Sequence, residues 1–166
     1  MDCNRYLTYA DFCRVYGTEI SVADFERFEF EAELEVDRYT TTIDNVKKLR
    51  VAFPTDRVDA EAVKRCVGKL VDVLYRFNVA DTKSISASGD VAGGAIASVS
   101  SGSESISYNT SASASALAEA NKSDVKRAEF TASIVRHYLS GREDANHVNL
   151  LYGGVYPHVQ RHDNAL

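Results

Sequence analysis

Four histidines are the side chains of this sequence best suited to act as a general base or a metal ligand at neutral pH. His137 falls near the end of a predicted helix, and the others are spread over a polar C-terminal stretch (His147, His158 and His162). A general base needs a nucleophile or an acid within hydrogen-bond reach, and zinc ligands recur at short, regular spacings. Neither pattern is present, so we predict no catalytic residue and no metal site. We expect His137 to be a cation at a helix C-terminus or to bond a carbonyl group.

Carboxylates are the next candidates for acid–base chemistry. The segment EFEAELEVD contains Glu29, Glu31, Glu33 and Glu35 at alternate positions. In a helix of 3.6 residues per turn this spacing distributes the carboxylates around the axis, which is typical of a solvated surface. We therefore expect solvation, with a charged surface between subunits as the alternative, and no acid–base pair.

The cysteines and glycines indicate no cofactor. Cys3, Cys13 and Cys66 form no CxxC pair, and their odd number does not fit a disulfide framework. We expect reduced thiols of a cytoplasmic protein, with Cys66 as a small buried hydrophobic residue. The stretch GDVAGGA matches neither the phosphate-binding loop nor the dinucleotide-binding pattern. The sequence thus predicts no cofactor and a protein that is not an enzyme.

Composition further limits the class of protein to which this chain can belong. The chain has 166 residues, 45% of them apolar and 26% charged, which is enough for one domain with a core. Its net charge is −5, and its basic clusters are short, which disfavours a free-standing nucleic-acid binder. The N-terminus does not resemble a signal peptide, and no apolar run approaches the ~20 residues that cross a bilayer. We therefore expect no membrane association.

Four helices are expected from apolar residues at helical spacing. Thr8 and Ser21 are predicted to cap the first two, Asp59 or Thr55 the third and Ser123 the last. The predicted ranges are 8–16, 21–39, 59–77 and 123–140. Residues 40–56 are expected to be irregular. In the second helix, the apolar face is predicted to lie opposite charged side chains, namely Glu26, Arg27, Glu33, Asp37 and Arg38.

A change of composition separates the third helix from the last. Residues 83–111 are rich in Ser, Ala and Gly, and the alternation in IASVSS and SISY indicates a β-hairpin that turns near Gly102, rather than a flexible linker. KSISAS is interpreted as a further strand. The predicted fold is mainly α, a small bundle of about four helices. A β-hairpin or long loop is inserted before the last helix, and an extended C-terminal tail follows it.

Apolar residues after the last helix are the most unusual feature. The stretch NLLYGGV and the residue after it contribute Leu150, Leu151, Tyr152, Val155 and Tyr156. A solvated tail needs none of these side chains, so the segment either folds back onto its own domain or is covered by another chain. We divide the chain into a helical domain, residues 1–148, and a C-terminal docking tail, residues 149–166.

These motifs, in this order, resemble head-tail connector (adaptor) proteins of tailed bacteriophages. The resemblance rests on YLTYADFCRVYG, ISVADFERFEFEAELEVDRYT, DAEAVKRCVGKLVDVL, KSISASGD with ESISY, and the closing NLLYGGV. It covers nearly the whole chain. The family commonly closes with a Leu-Leu-Tyr-Arg-Gly-Val-like segment. Gly153 stands in place of that arginine here, so a salt bridge from that position is not expected, and residues 156–166 exceed the common ending.

The resemblance implies a structural protein of the virion neck that assembles in the host cytoplasm. It implies a ring of twelve copies beneath the portal protein, joined to head-closure or tail proteins, with DNA passing through the lumen during ejection without sequence-specific binding. A closed ring needs two different faces on each subunit. The tail residues would dock on the portal or an adjacent subunit. The hairpin would meet a neighbouring subunit or the next ring through Ile96, Val99, Ile106 and Tyr108.

Other functions remain open at this point. Within the same neck, the chain could be a head-closure or tail-completion protein. From a different class, it could be a small regulatory or DNA-packaging accessory protein, which a basic surface would favour.

Overall fold

The computed structural model describes residues 5–88 and 112–157; for residues 83–88 and 112–115 the backbone alone is described. These ranges are mainly helical and contain no strand. Six helices occur in them: α1 (Tyr9–Tyr16), α2 (Val22–Thr40), α3 (Lys48–Val51), α4 (Arg57–Ser88), α5 (Ala112–Ala120) and α6 (Asp124–Leu139).

Side-chain caps start three of these helices where the sequence predicts them. Thr8, Ser21 and Ser123 each accept a hydrogen bond from the backbone N–H three residues later, which satisfies an otherwise unpaired donor of the first turn. Gly17 ends α1 with a φ of 84°, a conformation that glycine adopts without steric cost. The cap predictions for α1, α2 and α6 are therefore confirmed.

The core lies where α4 packs against α2 on one side and α6 on another. Phe12, Phe25 and Phe28 join it from α1 and α2, and the rings of Phe12 and Phe25 lie 5.2 Å apart. α4 contributes a continuous buried stripe that consists of Val63, Cys66, Val67, Leu70, Val71, Val73 and Phe77. Burial raises the pKa of the Cys66 thiol to about 12, so the expected role of Cys66 as a small buried hydrophobic residue is confirmed.

Gly68 lets α1 approach α4 closely. A Cβ atom at this position would lie 2.5 Å from Cε2 of Tyr16. The Tyr16 ring cannot simply swing away, because it stacks on Phe12 at 5.2 Å and its hydroxyl donates to the carbonyl of Arg65 at 2.9 Å. The absence of a side chain at Gly68 therefore fixes how the first helix sits on the core.

The third predicted helix is longer than expected at both ends. α4 runs from Arg57 to Ser88, so the interpretation of KSISAS as a strand is wrong: these residues are helical. The cap is Asp56, whose Oδ1 accepts from the N–H groups of Val58 at 2.8 Å and Asp59 at 3.1 Å, and not Asp59 or Thr55. The ASASALAEA segment forms a separate helix, α5, before α6. The predicted hairpin residues Ile96, Val99, Ile106 and Tyr108 lie outside the described residues.

An acidic stripe of α2 faces inward, which corrects the prediction that its carboxylates are solvated. Glu29, Glu33 and Asp37 are spaced four residues apart and are all buried. Arg50 donates to Glu33 at 2.6 Å and to Asp37 at 3.1 Å. Four-residue spacing puts the three carboxylates on one face of the helix. Sequence periodicity predicted Glu33 and Asp37 on the solvent-exposed side of α2, because it could not show that Arg50 pairs with both of them.

Tyr6 completes this cluster from the segment before α1. Its N–H donates to Glu33 at 2.5 Å, its hydroxyl donates to Asp37 at 2.5 Å, and the Arg50 guanidinium lies 4.4 Å from the ring centroid. Burial, together with the neighbouring Glu33, raises the pKa of Glu29 to about 8. The cluster thus connects the N-terminal segment and α3 to α2 through hydrogen bonds and ion pairs to the buried Glu33 and Asp37.

Candidate docking surface

The segment after α6 folds back onto its own domain. Leu150 is fully buried in the core cluster, and its N–H donates to the carbonyl of Arg142 at 2.8 Å. Leu151 is half-buried and packs against the same cluster. Of the two possibilities that the sequence left open for these leucines, the structure therefore favours packing on their own chain.

Lys48 holds this segment in place. Its side chain is fully buried, and the ammonium group donates to the carbonyl oxygens of Asn149 at 2.9 Å and Tyr152 at 2.5 Å. Burial lowers the pKa of Lys48 because the charged form loses its hydration, and the nearby Asp144 carboxylate opposes that effect. A single lysine of α3 thus binds two carbonyls of a segment about one hundred residues away along the chain.

A tight loop over residues 41–47 connects α2 to α3. The N–H of Thr42 donates to the carbonyl of Val46 at 3.0 Å, and the N–H of Asn45 donates back to the carbonyl of Thr42 at 2.9 Å. The Thr42 hydroxyl accepts from the N–H of Val46 at 3.1 Å, and Asn45 has a φ of 62°. Asparagine tolerates this left-handed conformation better than most residues, so the loop is locally encoded.

The loop over residues 143–149 repeats this pattern after α6. The N–H of Asp144 donates to the carbonyl of Val148 at 2.9 Å, and the N–H of His147 donates to the carbonyl of Asp144 at 3.0 Å. The Asp144 carboxylate accepts from the N–H of Val148 at 3.0 Å, and His147 has a φ of 58°. The match between TTIDNVK and EDANHVN was not recognised in the sequence; a short polar residue four positions before each valine is its signal.

The two loops are joined through Tyr156. Its N–H donates to the Asp44 carboxylate at 3.2 Å, and its hydroxyl donates to the buried Asp144 carboxylate at 2.6 Å. Asn146 donates to the same hydroxyl at 2.9 Å. Burial, reinforced by Asp144, raises the pKa of Tyr156. The C-terminal segment is therefore fixed at both ends, by Leu150 in the core and by Tyr156 between the loops.

Three apolar side chains of the first loop and of the C-terminal segment remain exposed, and we call them the loop face: Ile43, Tyr152 and Val155. Their exposed fractions are 79%, 48% and 59%. The N–H of Ile43 donates to the carbonyl of Gly153 at 3.1 Å, which brings Ile43 beside the other two. Solvent-exposed apolar side chains that are adjacent and rigidly held are typical of a protein interaction site.

The predicted docking residues of the tail differ in burial: some are buried in the structure and others are exposed. Leu150 and Tyr156 are buried in their own chain, so in this fold their side chains are not exposed for a partner to cover. Tyr152 and Val155 belong to the loop face, and their docking stays a prediction, as does that of Leu151. Ile43 was missed because it precedes the tail by more than one hundred residues, and sequence spacing does not show which loops are adjacent.

The two histidines within the described ranges, His137 and His147, do not belong to the loop face. His137 is exposed in the last turn of α6, and its ring meets that of Tyr138 edge-on at 5.2 Å. His147 lies 3.2 Å from a Glu143 carboxylate oxygen at the surface. No group of three or more His, Cys, Asp or Glu within residues 5–88 and 112–157 is arranged to hold a metal ion. No helix among the described residues is long and apolar enough to cross a membrane.

Comparison with protein-family models, with curated proteins and with solved structures gave no match. The function therefore rests on the residues and contacts of this chain. The loop face is one of the exposed apolar surfaces of the described residues.

Proposed function

We propose that this chain is a structural connector of a tailed-phage neck, which docks on the portal protein through the loop face. It forms a ring that joins the head to the tail, and DNA passes through the lumen. The order of sequence motifs supports this proposal, and so does the architecture of a small helical domain whose C-terminal segment presents apolar side chains.

The observation that carries the proposal is that hydrogen bonds hold the backbone of the loop face at two points. Lys48 fixes the backbone at Tyr152, and the Asp44 carboxylate fixes it at Tyr156. A rigid surface loses little conformational entropy when it is covered, so more of the free energy of burial contributes to binding. The described residues leave Ile43 and Val155 largely uncovered, whereas a partner that covers them removes their apolar surface from water.

A DNA-packaging accessory protein is the competing function, and it needs a basic surface. Arginines do concentrate between α1, α4 and α6. However, Arg14 pairs with Asp11 at 2.9 Å and Arg65 pairs with Glu61 at 2.9 Å. Paired arginines in an acidic chain attract phosphate weakly, so this surface does not favour DNA as the main partner.

Substitution of the loop face tests the proposal. We expect Ile43→Asp and Val155→Asp to abolish co-purification with the portal protein encoded in the same genome, because a buried unpaired carboxylate opposes docking. Val125→Asp is the matched control, since Val125 is equally exposed but lies at the start of α6. All three variants should keep the wild-type melting temperature.

The outcome that would reject the proposal is normal portal binding by both loop-face variants. Negative-stain images of the wild-type protein mixed with portal provide an independent check. They should show an added ring beneath the portal, and a bare portal at saturating concentration would also count against the connector function.

A further inference from the structure

The outer face of α2 carries apolar side chains that no element within residues 5–88 and 112–157 covers. Phe30 and Leu34 lie four residues apart, so they share one side of the helix, and their exposed fractions are 60% and 46%. An exposed phenylalanine beside a leucine is unusual on a helix whose opposite side already fills the core. The pair forms an apolar anchor that is suited to a pocket on a partner.

Charged residues of both signs flank this anchor, with Arg27 and Arg38 as near to it along the helix as Glu26 and Glu31. Outside its buried stripe, α2 carries four acidic and two basic residues. Glu26 meets Arg5 at 3.5 Å, and Glu31 meets Arg27 at 3.9 Å. Long, exposed ion pairs of this kind contribute little, so the carboxylates Glu26 and Glu31 can form better pairs with arginines of another molecule.

A basic groove lies elsewhere on the same molecule. It is formed by α1, the first turns of α4 and the end of α6, and it encloses about 940 Å³. Four arginines line it against one glutamate, but three of them already pair with carboxylates of their own chain: Arg14 with Asp11, Arg65 with Glu61 and Arg142 with Asp59. Val15 and Val58 expose apolar surface in the same groove. Arg57 pairs with no carboxylate among the described residues, which leaves its guanidinium group available to a partner.

We propose that this groove binds the outer face of α2 from a second copy of the chain. Phe30 and Leu34 would pack on Val15 and Val58, and the acidic residues around them would face Arg57 and its neighbours. The match combines apolar contact with opposite charge, and arginine and aromatic residues are enriched in the centres of protein interfaces.

A contact of this geometry would link many subunits in series. No residue of α2 lines the groove, so one molecule can use both surfaces at once. A contact between two different faces is heterologous: it repeats from subunit to subunit and closes into a ring when the rotation permits. This inference deepens the proposed connector function and rests on it, because it assigns the two faces that a ring requires.

Paired substitutions test the contact in the full-length protein. Phe30→Arg puts a positive charge on the α2 face, and Arg57→Glu puts a negative charge in the groove. Neither is expected to disturb folding, because Phe30 is exposed and an acidic residue in the first turn of α4 suits the helix dipole. Val125→Arg is the matched control for an exposed apolar residue changed to arginine.

Self-association is measured by analytical ultracentrifugation, alone and with portal as a template. We expect wild type and Val125→Arg to form higher-order species, and each of the other two variants to associate about tenfold to a hundredfold more weakly. A mixture of Phe30→Arg and Arg57→Glu retains one intact pair of faces. It should form mixed dimers that neither variant forms alone, and because the charges introduced at positions 30 and 57 are opposite, the altered faces can also attract each other.

Several results would overturn this inference. Wild-type association by both variants would exclude these faces while leaving ring formation, and hence the proposed function, intact. Loss with Phe30→Arg alone would indicate a symmetric contact between two α2 faces. If Arg57→Glu instead weakened binding of a short DNA duplex and left association unchanged, the groove would be a nucleic-acid site. A wild-type protein that stays monomeric even with portal would reject the inference and the proposed function together.

Discussion

The Leu150→Ala variant tests whether the C-terminal segment belongs to the core of its own subunit. Leu150 is fully buried in the main hydrophobic cluster. Its replacement removes the branched end of the side chain and leaves a cavity that the surrounding helices fill only in part. A buried leucine changed to alanine typically costs about 2–5 kcal/mol of the free energy of unfolding.

This loss is large enough to measure by thermal unfolding. A domain of this size loses about 2–4 °C of melting temperature per kcal/mol, so we expect a decrease of roughly 4–20 °C. Circular dichroism at 222 nm, which follows the helices, is a suitable assay. Val155→Ala is the control in the same segment: Val155 is largely exposed, so its melting temperature should stay within about 1 °C of wild type.

An unchanged melting temperature for Leu150→Ala would refute the placement of this residue in the core. It would favour the alternative in which the tail is packed only in an assembly. Point variants are more informative here than deletion of residues 149–166, because the deletion removes both the core contact of Leu150 and the exposed side chains of Tyr152 and Val155.

Three further predictions concern buried groups. Burial raises the pKa of Glu29 to about 8, above its ordinary value of 4.5, so the folded state keeps a proton that the unfolded state releases, and stability should fall as pH rises from about 5 to 8. Glu29→Gln should remove this fall in denaturant titrations, whereas the exposed Glu31→Gln should keep it; an unchanged pH dependence in Glu29→Gln would contradict the burial argument. Gly68→Ala should destabilise by up to about 2 kcal/mol, because overpacking exceeds the gain in helix propensity. In a Tyr16→Ala background the same change should stabilise, and an equal loss in both backgrounds would show that the Tyr16 ring is not the obstacle. Lys48→Met should leave two carbonyls unpaired and speed hydrogen exchange of the amides between residues 149 and 157; unchanged exchange there would mean that this lysine does not hold the segment.

Local signals in the sequence predicted the helices that have strong caps. Thr8, Ser21 and Ser123 begin α1, α2 and α6 as expected, because a capping side chain acts only on backbone groups within one turn of itself. The end of α4 was not predicted. The serines and alternating apolar residues of 83–88 suggested a strand, and α4 nevertheless runs through them.

The loop face is formed by contacts between residues that are distant in sequence. The stretch NLLYGGV indicated a functional segment, but its pattern could not show that Leu150 faces the core while Tyr152 and Val155 face solvent. Ile43 belongs to the loop face because a backbone hydrogen bond joins it to Gly153. Such a bond between segments leaves no trace in the local residue pattern of either one.

By itself, the sequence determined the mainly helical class, the starts of three helices and the presence of surplus apolar residues after the last one. These depend on propensity, capping and periodicity, which act within a few residues. Only the tertiary structure decided which charges are buried and which apolar side chains are exposed. Arg50 pairs with Glu33 and Asp37 of α2, and Lys48 satisfies the carbonyls of the C-terminal segment, so both depend on pairs brought together by folding. A charge becomes tolerable inside a protein only when its partner is beside it, and that partner is chosen by the fold.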